Sequence, residues 1–417
     1  MKFPTRRRLL LSAASLPWAA ARAVAAPRAA LAVASFPDLD RAARVAAASW
    51  PAGGVRLASL STADHHTAMM TAMAAGSNLP DLMAVDMDYI GKFANSGGLA
   101  DLSKLPFDAG AHRDQLPAFA LAAATNRRGE LAALPVDIGP GALFYRADLL
   151  DAAGVDATAL VHSWEDFIEA GRRLRRAHGV YLVAHAASVS QVVVRSGLRD
   201  GEGVFFDAKG EPLVETARFQ RAFELARSVR RAELDGRLSD WSNEWTEALR
   251  RGRVATQMMG CWLGGHLKNW IAPQAAGLWR ASPLPGGAAA YWGGSFYAIP
   301  KHAPQPEAAW AFLRHLALDR QQQLAAFREL DAFPVLREAQ DDPFLDEPMP
   351  FLGGQRARRQ WREMAARIPA LAVDRYDGVA RQVVAAELAK VLQFDKDIGR
   401  ALADARTALA RRIRRYE

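Results

Sequence analysis

The chain has 417 residues, of which 50% are hydrophobic and 24% are charged, and its formal net charge is +8. A single hydrophobic core stops growing at roughly 250–300 residues, so this length predicts two domains. The ordinary composition excludes extensive disorder, and the single cysteine, Cys261, excludes an intramolecular disulfide.

Residues 1–25 have the pattern of an export signal. Lys2 and the arginines at 6–8 precede an apolar run, and a small-x-small cleavage site ends before Ala26. The arginine pair resembles a twin-arginine signal, and a general secretory signal is the alternative. Removal of this segment takes away five basic residues and no acid, which leaves about +3, so nucleic acid is not an expected partner. Because there is no cysteine at the cleavage site, we expect a periplasmic protein without a lipid anchor. No uninterrupted apolar stretch of about 18–20 residues follows the signal, so no second membrane span is expected.

Strand and helix patterns alternate through the first hundred residues. Short apolar runs predict strands at 29–36, 54–60 and 82–85, and each is followed by a helical pattern, at 38–50, 65–75 and 87–96. The second of these helices ends at Gly76. This alternation predicts a mostly parallel sheet covered by helices.

Two aspartates follow predicted strands. Asp86 comes directly after the third strand, at the end where open α/β sheets bind ligands, although it also fits an ordinary helix N-cap. Asp137 lies in the proline-opened and glycine-rich segment 134–146, which has the pattern of a crossover between domains. Asp137 is therefore a candidate ligand contact, and a turn aspartate is the alternative.

Later segments have helical patterns, and their tryptophans are predicted to pack in the core. Ser163 fits the N-cap of a helix at 164–174, and further helices are predicted at 219–230, 244–251 and 307–316. The remaining tryptophans in helical patterns are assigned to the core: Trp241 and Trp245, four residues apart, and also Trp310 and Trp361.

The stretch 252–300 combines short strands with aromatic residues. A short apolar run ends at Gly260-Cys261-Trp262, a proline-glycine turn follows, and a second strand leads to residue 300. This pattern predicts two sheet edges that face a cleft. The adjacent Gly293 and Gly294 are suited to the backbone rotation of a hinge.

Taken in order, several motifs resemble the extracellular solute-binding proteins of carbohydrate ABC importers, the group that includes maltose-binding-type proteins. The residues that carry the resemblance are 74–81, 97–102, 137–146, 260–262 and 306–313. Each motif alone is weak, but together they cover nearly the whole chain after the signal.

The resemblance implies an α/β fold of the periplasmic binding protein kind (type II-like), with two lobes, each a mostly parallel sheet flanked by helices. The lobes are expected to comprise residues 26–136 with 293–335, and 137–292 with 336–417. Closure about hinge crossings at Gly293 and Gly294 captures a sugar, and the loaded monomer is delivered to the permease subunits of an ABC importer.

The resemblance indicates Trp262 and Tyr376 as site residues, and the needs of a sugar-binding site indicate the others. Trp262 matches the family position whose ring stacks on the sugar, although Cys261 before it and Leu263 after it depart from the usual pattern. Trp292 and Tyr376 are expected as further platforms. The hydroxyl rim is assigned to Asp86, Asp137, and Asn243 or Glu202, and His66 is placed at the cleft entrance or in a surface cap.

No cofactor, metal or catalytic group is expected. His65 and His66 are adjacent and diverge on a helix, and no phosphate loop has the strand-to-helix context that nucleotides need. Two alternatives remain open: a binding protein of the same fold for polyamines or another non-sugar solute, and a secreted carbohydrate-active enzyme.

Overall fold

The computed structural model describes residues 30–414. The predicted export signal and its cleavage site lie outside the described residues. Eight strands are present in the described range: β1 (Leu31–Ser35), β2 (Val55–Ser59), β3 (Leu82–Asp86), β4 (Leu134–Pro135), β5 (Gly141–Arg146), β6 (Thr256–Gly260), β7 (Trp279–Ser282) and β8 (Ser295–Ala298).

The strands form two sheets. The first has the order β2-β1-β3-β8-β4, in which β1 pairs in parallel with β2 and β3, while β8 is antiparallel to β3 and β4. The second has the order β6-β5-β7, and both of its pairings are antiparallel. The prediction of mostly parallel sheets was therefore wrong for the second sheet and for half of the first.

The chain passes between the sheets twice near the predicted crossings. Leu134–Pro135 belongs to the first sheet and Gly141–Arg146 to the second, so the intervening residues 136–140 connect them. The return lies between Trp279–Ser282 in the second sheet and Ser295–Ala298 in the first.

Seventeen α-helices surround the sheets within residues 30–414. They are α1 (Leu39–Ser49), α2 (Thr62–Ala75), α3 (Met87–Ala94), α4 (Ala118–Ala124), α5 (Ala147–Ala152), α6 (Ala159–His162), α7 (Trp164–His178), α8 (Ala187–Val193), α9 (Ala217–Arg231), α10 (Asn243–Arg250), α11 (Leu263–His266), α12 (Pro306–Leu318), α13 (Arg320–Leu330), α14 (Arg337–Gln340), α15 (Ala357–Ala365), α16 (Asp377–Phe394) and α17 (Ile398–Ile413). None of those helices combines the length and hydropathy needed to cross a membrane.

Local sequence signals set several helix ends. The Ser163 side chain accepts a hydrogen bond from the backbone N–H of Asp166 at 3.0 Å and so caps α7, as predicted. Helix α2 ends at Gly76 in the left-handed conformation, also as predicted.

The second sheet is buried on both faces. Ala142 and Phe144 of β5 pack into one apolar cluster, and Leu143 and Tyr145 pack into another, because successive side chains point to opposite faces. The sheet is therefore a rigid support for the residues at its ends.

Candidate functional site

A cleft of about 1050 Å³ is lined by residues of both sheets and of the segments that connect them. Residues from the end of β3, the crossing segment, the turn after β6 and the start of α16 line it. Ligand pockets commonly enclose roughly 300–1,000 Å³, so this cleft is at the large end of that range.

Two carboxyl groups flank one backbone position on the floor of the cleft. Asp86, the last residue of β3, is the register partner of Ser295 in β8. Asp137 accepts a hydrogen bond from the backbone N–H of Ser295. The antiparallel pairing thus brings together two acids that are 51 residues apart in sequence.

Burial raises the pKa of both acids. Burial and then the Asp88 charge raise the pKa of Asp86 to about 7. Burial raises the pKa of Asp137 to about 6. Near neutral pH, each carboxyl can accept a hydrogen bond when ionised and can donate one when protonated.

The opposite wall carries a second set of charged groups at the start of α16. Burial raises the pKa of Asp377 to about 7, and Arg381, one turn later, forms an ion pair with Asp88 of α3. Arg195 also lines the cleft, with its guanidinium 5.7 Å from the centre of the Trp292 ring. Charged groups from both walls therefore meet across the cleft.

Indole rings line another part of the cleft. Trp262 follows β6, is partly buried, and donates a hydrogen bond from its ring N–H to the carbonyl oxygen of Trp292 at 3.0 Å. The ring of Trp241 stacks at 5.9 Å from it with planes 20° apart. The N–H bond fixes the plane of Trp262, so its ring is a preformed platform.

The predicted hinge glycines lie beside this platform. Gly293 and Gly294 have φ values of 80° and 129°, which side-chain-bearing residues rarely adopt. A Cβ on Gly293 would be 2.9 Å from the Trp262 ring nitrogen, and one on Gly294 would be 2.4 Å from the hydroxyl of Tyr291. The backbone here is therefore restricted to glycine by both conformation and space.

Residues 53–349 match the model of a family described as bacterial extracellular solute-binding protein. The chain belongs to this family. Membership implies a protein that works outside the cytoplasm.

Curated relatives of this solute-binding protein are similar at low identity. A lactose-binding protein of Rhizobium radiobacter is 26% identical over 326 residues, which are 74% of each chain. An arabinooligosaccharide-binding protein of Halalkalibacterium halodurans is 24% identical over 303 residues, or 69% of this chain and 65% of that protein.

Solved structures share the fold of this solute-binding protein. A crystal structure of an extracellular solute-binding protein family 1 member has a TM-score of 0.79 at 22% identity, covering 92% of this chain and 99% of that one. An ABC transporter associated binding protein from B. animalis subsp. lactis Bl-04, in complex with beta-1,6-galactobiose, has a TM-score of 0.76 at 21% identity, covering 91% of this chain and 96% of that one. The expected two-lobe fold is confirmed.

The structure places four predicted contacts of this solute-binding protein on the cleft lining. They are Asp86, Asp137, Trp262 and Trp292. The two interpretations of Asp86 are compatible, because its side chain also caps α3 by accepting a hydrogen bond from the backbone N–H of Asp88 at 2.8 Å.

His66 lies behind the cleft and not at its entrance. It is 1% exposed, and its Nε2 accepts a hydrogen bond from the backbone N–H of Asp86 at 3.0 Å. Nδ1 therefore carries the proton and donates to the carbonyl of Thr62 at 2.6 Å. Burial lowers the pKa of His66 to about 4, so a neutral ring, stacked 3.8 Å from Tyr89, holds the end of β3.

The other three predicted contacts lie outside the cleft lining. Glu202 accepts a hydrogen bond from the backbone N–H of Arg199 in a surface loop. Asn243 is exposed at the first turn of α10. The ring of Tyr376 is 6.5 Å from that of Phe206 in the apolar cluster behind the cleft wall.

The tryptophan assignments were right for three residues and wrong for one. Trp245, Trp310 and Trp361 are buried, as predicted. Trp241 was assigned to the core but is 50% exposed in the cleft. Its neighbour Trp270, which no motif singled out, is 47% exposed there.

Cys261 directly precedes Trp262 and has a structural role. Its backbone N–H donates to the carbonyl of Pro140 at 2.9 Å, and its side chain is buried, which raises the pKa of the thiol. Cys261 therefore acts as a small apolar residue. Within residues 30–414 no group of three or more histidine, cysteine or acidic side chains is arranged to hold a metal ion.

Proposed function

We propose that this chain binds a mono- or oligosaccharide in the cleft and delivers it to the permease subunits of an ABC importer. The observation that carries the proposal is the position of the Trp262 ring in the same cleft as Asp86 and Asp137. A sugar has an apolar C–H face and a rim of hydroxyls, and this site offers a fixed aromatic surface and carboxyl groups to match them.

We propose that capture involves closure of two lobes. Residues 26–136 with 293–335 and residues 137–292 with 336–417 would be the lobes, with Gly293 and Gly294 as the hinge. The ion pair between Arg381 and Asp88 links α16 to α3. The ion pair between Arg127 and Asp374 links the loop after α4 to the segment before α16. Both ion pairs support closure across the cleft. The protein would act as a periplasmic monomer without a lipid anchor, exported by the twin-arginine route, and without nucleic-acid partners.

Relatives support a carbohydrate as the solute. Their names refer to lactose and to arabino-oligosaccharides, and one structural neighbour holds a galactobiose. These ligands are uncharged. The raised pKa values of Asp86 and Asp377, about 7 each, leave both carboxyls partly protonated near neutral pH, which suits an uncharged ligand.

A polyamine is the second candidate for the same cleft. Seven carboxyl groups on its lining favour a cation: Asp38, Asp86, Asp88, Asp137, Asp240, Asp374 and Asp377. The exposed indoles favour a sugar, because their flat faces match the C–H faces of sugar rings, whereas the cation–π attraction of an ammonium group needs only one indole. We further propose that the protein leaves its ligand chemically unchanged, in contrast to a secreted carbohydrate-active enzyme.

A thermal-shift screen of the protein without residues 1–25 separates these candidates. Ligands that bind only the folded state raise the melting temperature, by an amount that grows with concentration above Kd. We expect shifts with saccharides and none with spermidine or putrescine. A shift with a polyamine and none with any carbohydrate would contradict the proposal. Chromatography of the recovered sugar should show the original compound, and a cleaved product would identify an enzyme.

A further inference from the structure

The cleft has a second aromatic surface next to Trp262. Trp241 and Trp270 are each about half exposed, at 50% and 47%, and both line the cleft. Large exposed apolar side chains that are clustered mark binding surfaces more often than isolated ones do. No platform role was assigned to either residue on sequence grounds.

The three indoles form a row. The Trp241 ring is 5.9 Å from the Trp262 ring with planes 20° apart, and it is 6.5 Å from the Trp270 ring with planes 25° apart. The row begins at the partly buried Trp262 and continues to the more exposed Trp241 and Trp270, so it extends toward the mouth of the cleft.

His266 holds the row in place. Its ring is nearly perpendicular to those of Trp262 and Trp270, at 89° and 90°, with centres 5.7 and 5.8 Å away. Its Nδ1 accepts a hydrogen bond from the ring N–H of Trp270 at 2.9 Å. The exposed Trp270 side chain is therefore tied to one orientation, which lowers the entropy cost of stacking a ligand on it.

The backbone beneath the row is unusual at both exposed indoles. Trp241 has a φ of 68°, in the left-handed region that a bulky side chain seldom occupies. Trp270 lies in a π-helical turn, Leu267–Ile271, that follows α11. Such conformations cost stability and concentrate at functional sites.

Polar groups from the start of α1 and from the π-helical turn line the same part of the cleft. Asp38 and Arg41, at the start of α1, line it, and a carboxylate oxygen of Asp38 is 3.8 Å from Nε2 of His266. The exposed Asn269 also lines this part, between His266 and Trp270 in sequence. A ring stacked on the outer indoles would therefore find hydroxyl partners opposite them.

We propose that Trp241 and Trp270 extend the sugar-binding surface from Trp262 toward the cleft mouth, and that the solute is an oligosaccharide of at least three rings. This inference rests on the proposed function of the cleft. The cleft volume of about 1050 Å³ agrees with it, because a single ring would leave most of that space to water.

Calorimetric titration with two length series tests the inference. The probes are galactose, lactose and galactosyl-lactose, and arabinose, arabinobiose and arabinotriose. If each added stack contributes as aromatic pairs do, the trisaccharide of the preferred series binds about fivefold or more tighter than its disaccharide. Trp241→Ala should remove most of the gain from one ring to two, and Trp270→Ala most of the gain from two rings to three, whereas Trp241→Phe, which keeps a ring, retains it.

Phe394→Ala is the matched control, because Phe394 is 76% exposed at the far end of α16 and lies outside the cleft lining. It should leave the gain with length unchanged, and thermal melts confirm that each variant is folded. Equal affinity of the wild-type protein for one, two and three rings would overturn the extended surface but leave sugar binding in place. Absence of binding by all six sugars would overturn the proposed function itself for galactosides and for arabino-oligosaccharides.

Discussion

The Trp262→Ala substitution tests the platform on which the account depends. An aromatic side chain can bury about 150–250 Å², and a sugar face that covers about a quarter of it, roughly 50 Å², would gain about 1.3 kcal/mol. Stacking adds about 1 kcal/mol if aromatic pairs are a guide. We therefore expect a loss of about 2 kcal/mol, which is about a 30-fold rise in Kd.

The same substitution also removes a structural contact, which the assay must separate from binding. The Trp262 ring N–H bonds the Trp292 carbonyl at 3.0 Å, and losing such a bond costs about 1 kcal/mol of stability. Trp164→Ala is a matched control, because Trp164 is also half-buried, packs 5.8 Å from Phe167, and lies on α7 away from the cleft. Calorimetric titration with the best sugar of the screen measures Kd. An unchanged Kd in folded Trp262→Ala would refute the reasoning.

Three further predictions concern the floor, the ion pair and the hinge. The pKa of Asp86 is raised from 3.8 to about 7, so the folded state binds the proton more tightly, and the free energy of unfolding falls as pH rises from about 4 to about 7. Asp86→Asn should flatten that slope and raise the melting temperature at pH 8 by about 1–3 °C, and an unchanged slope in thermal melts would contradict this. Arg381→Met and Asp88→Asn should each weaken sugar binding less than about fivefold, because this ion pair is partly exposed. The double variant should lose no more affinity than either single variant. Additive losses of affinity in titrations would show that the two side chains act independently. Gly294→Ala should lower the free energy of unfolding, measured by urea denaturation, by about 1–3 kcal/mol, because φ is 129° there and Tyr291 occupies the space of a Cβ. Wild-type stability of this variant would show that the backbone can relax.

The elements with local signals were predictable. The first three strand and helix pairs agree with their predicted positions within a few residues, because apolar periodicity is a local signal. Gly76 at the end of α2 and Ser163 at the start of α7 also act within one turn of the helix. Asp86 lies on the cleft lining, in agreement with its position at the end of a parallel strand, where ligands commonly bind.

The elements that depend on distant pairing were not predictable. β5 is antiparallel to β6 and β7, more than a hundred residues away, and no local pattern specifies that direction. Arg381 reaches the cleft only because α16 packs beside α3. Both features arise from tertiary packing.

Two side chains, Trp241 and His66, were misplaced for a similar reason. Trp241 was assigned to the core from its spacing to Trp245, but its left-handed backbone turns the ring outward, and that conformation leaves no mark in the sequence. His66 was expected at the cleft entrance or in a surface cap. Its nitrogen instead accepts the backbone N–H of Asp86, so it supports the site from behind.

The central claim is that a saccharide is held between the indole platform and the carboxyl groups of the cleft floor. The most direct test is a crystal structure of the protein with the tightest-binding sugar from the screen. We predict a sugar ring stacked on Trp262, with hydroxyls in hydrogen-bond contact with Asp86 or Asp137. A sugar bound away from this cleft, or bound in it without contact to Trp262 and to either acid, would contradict the account.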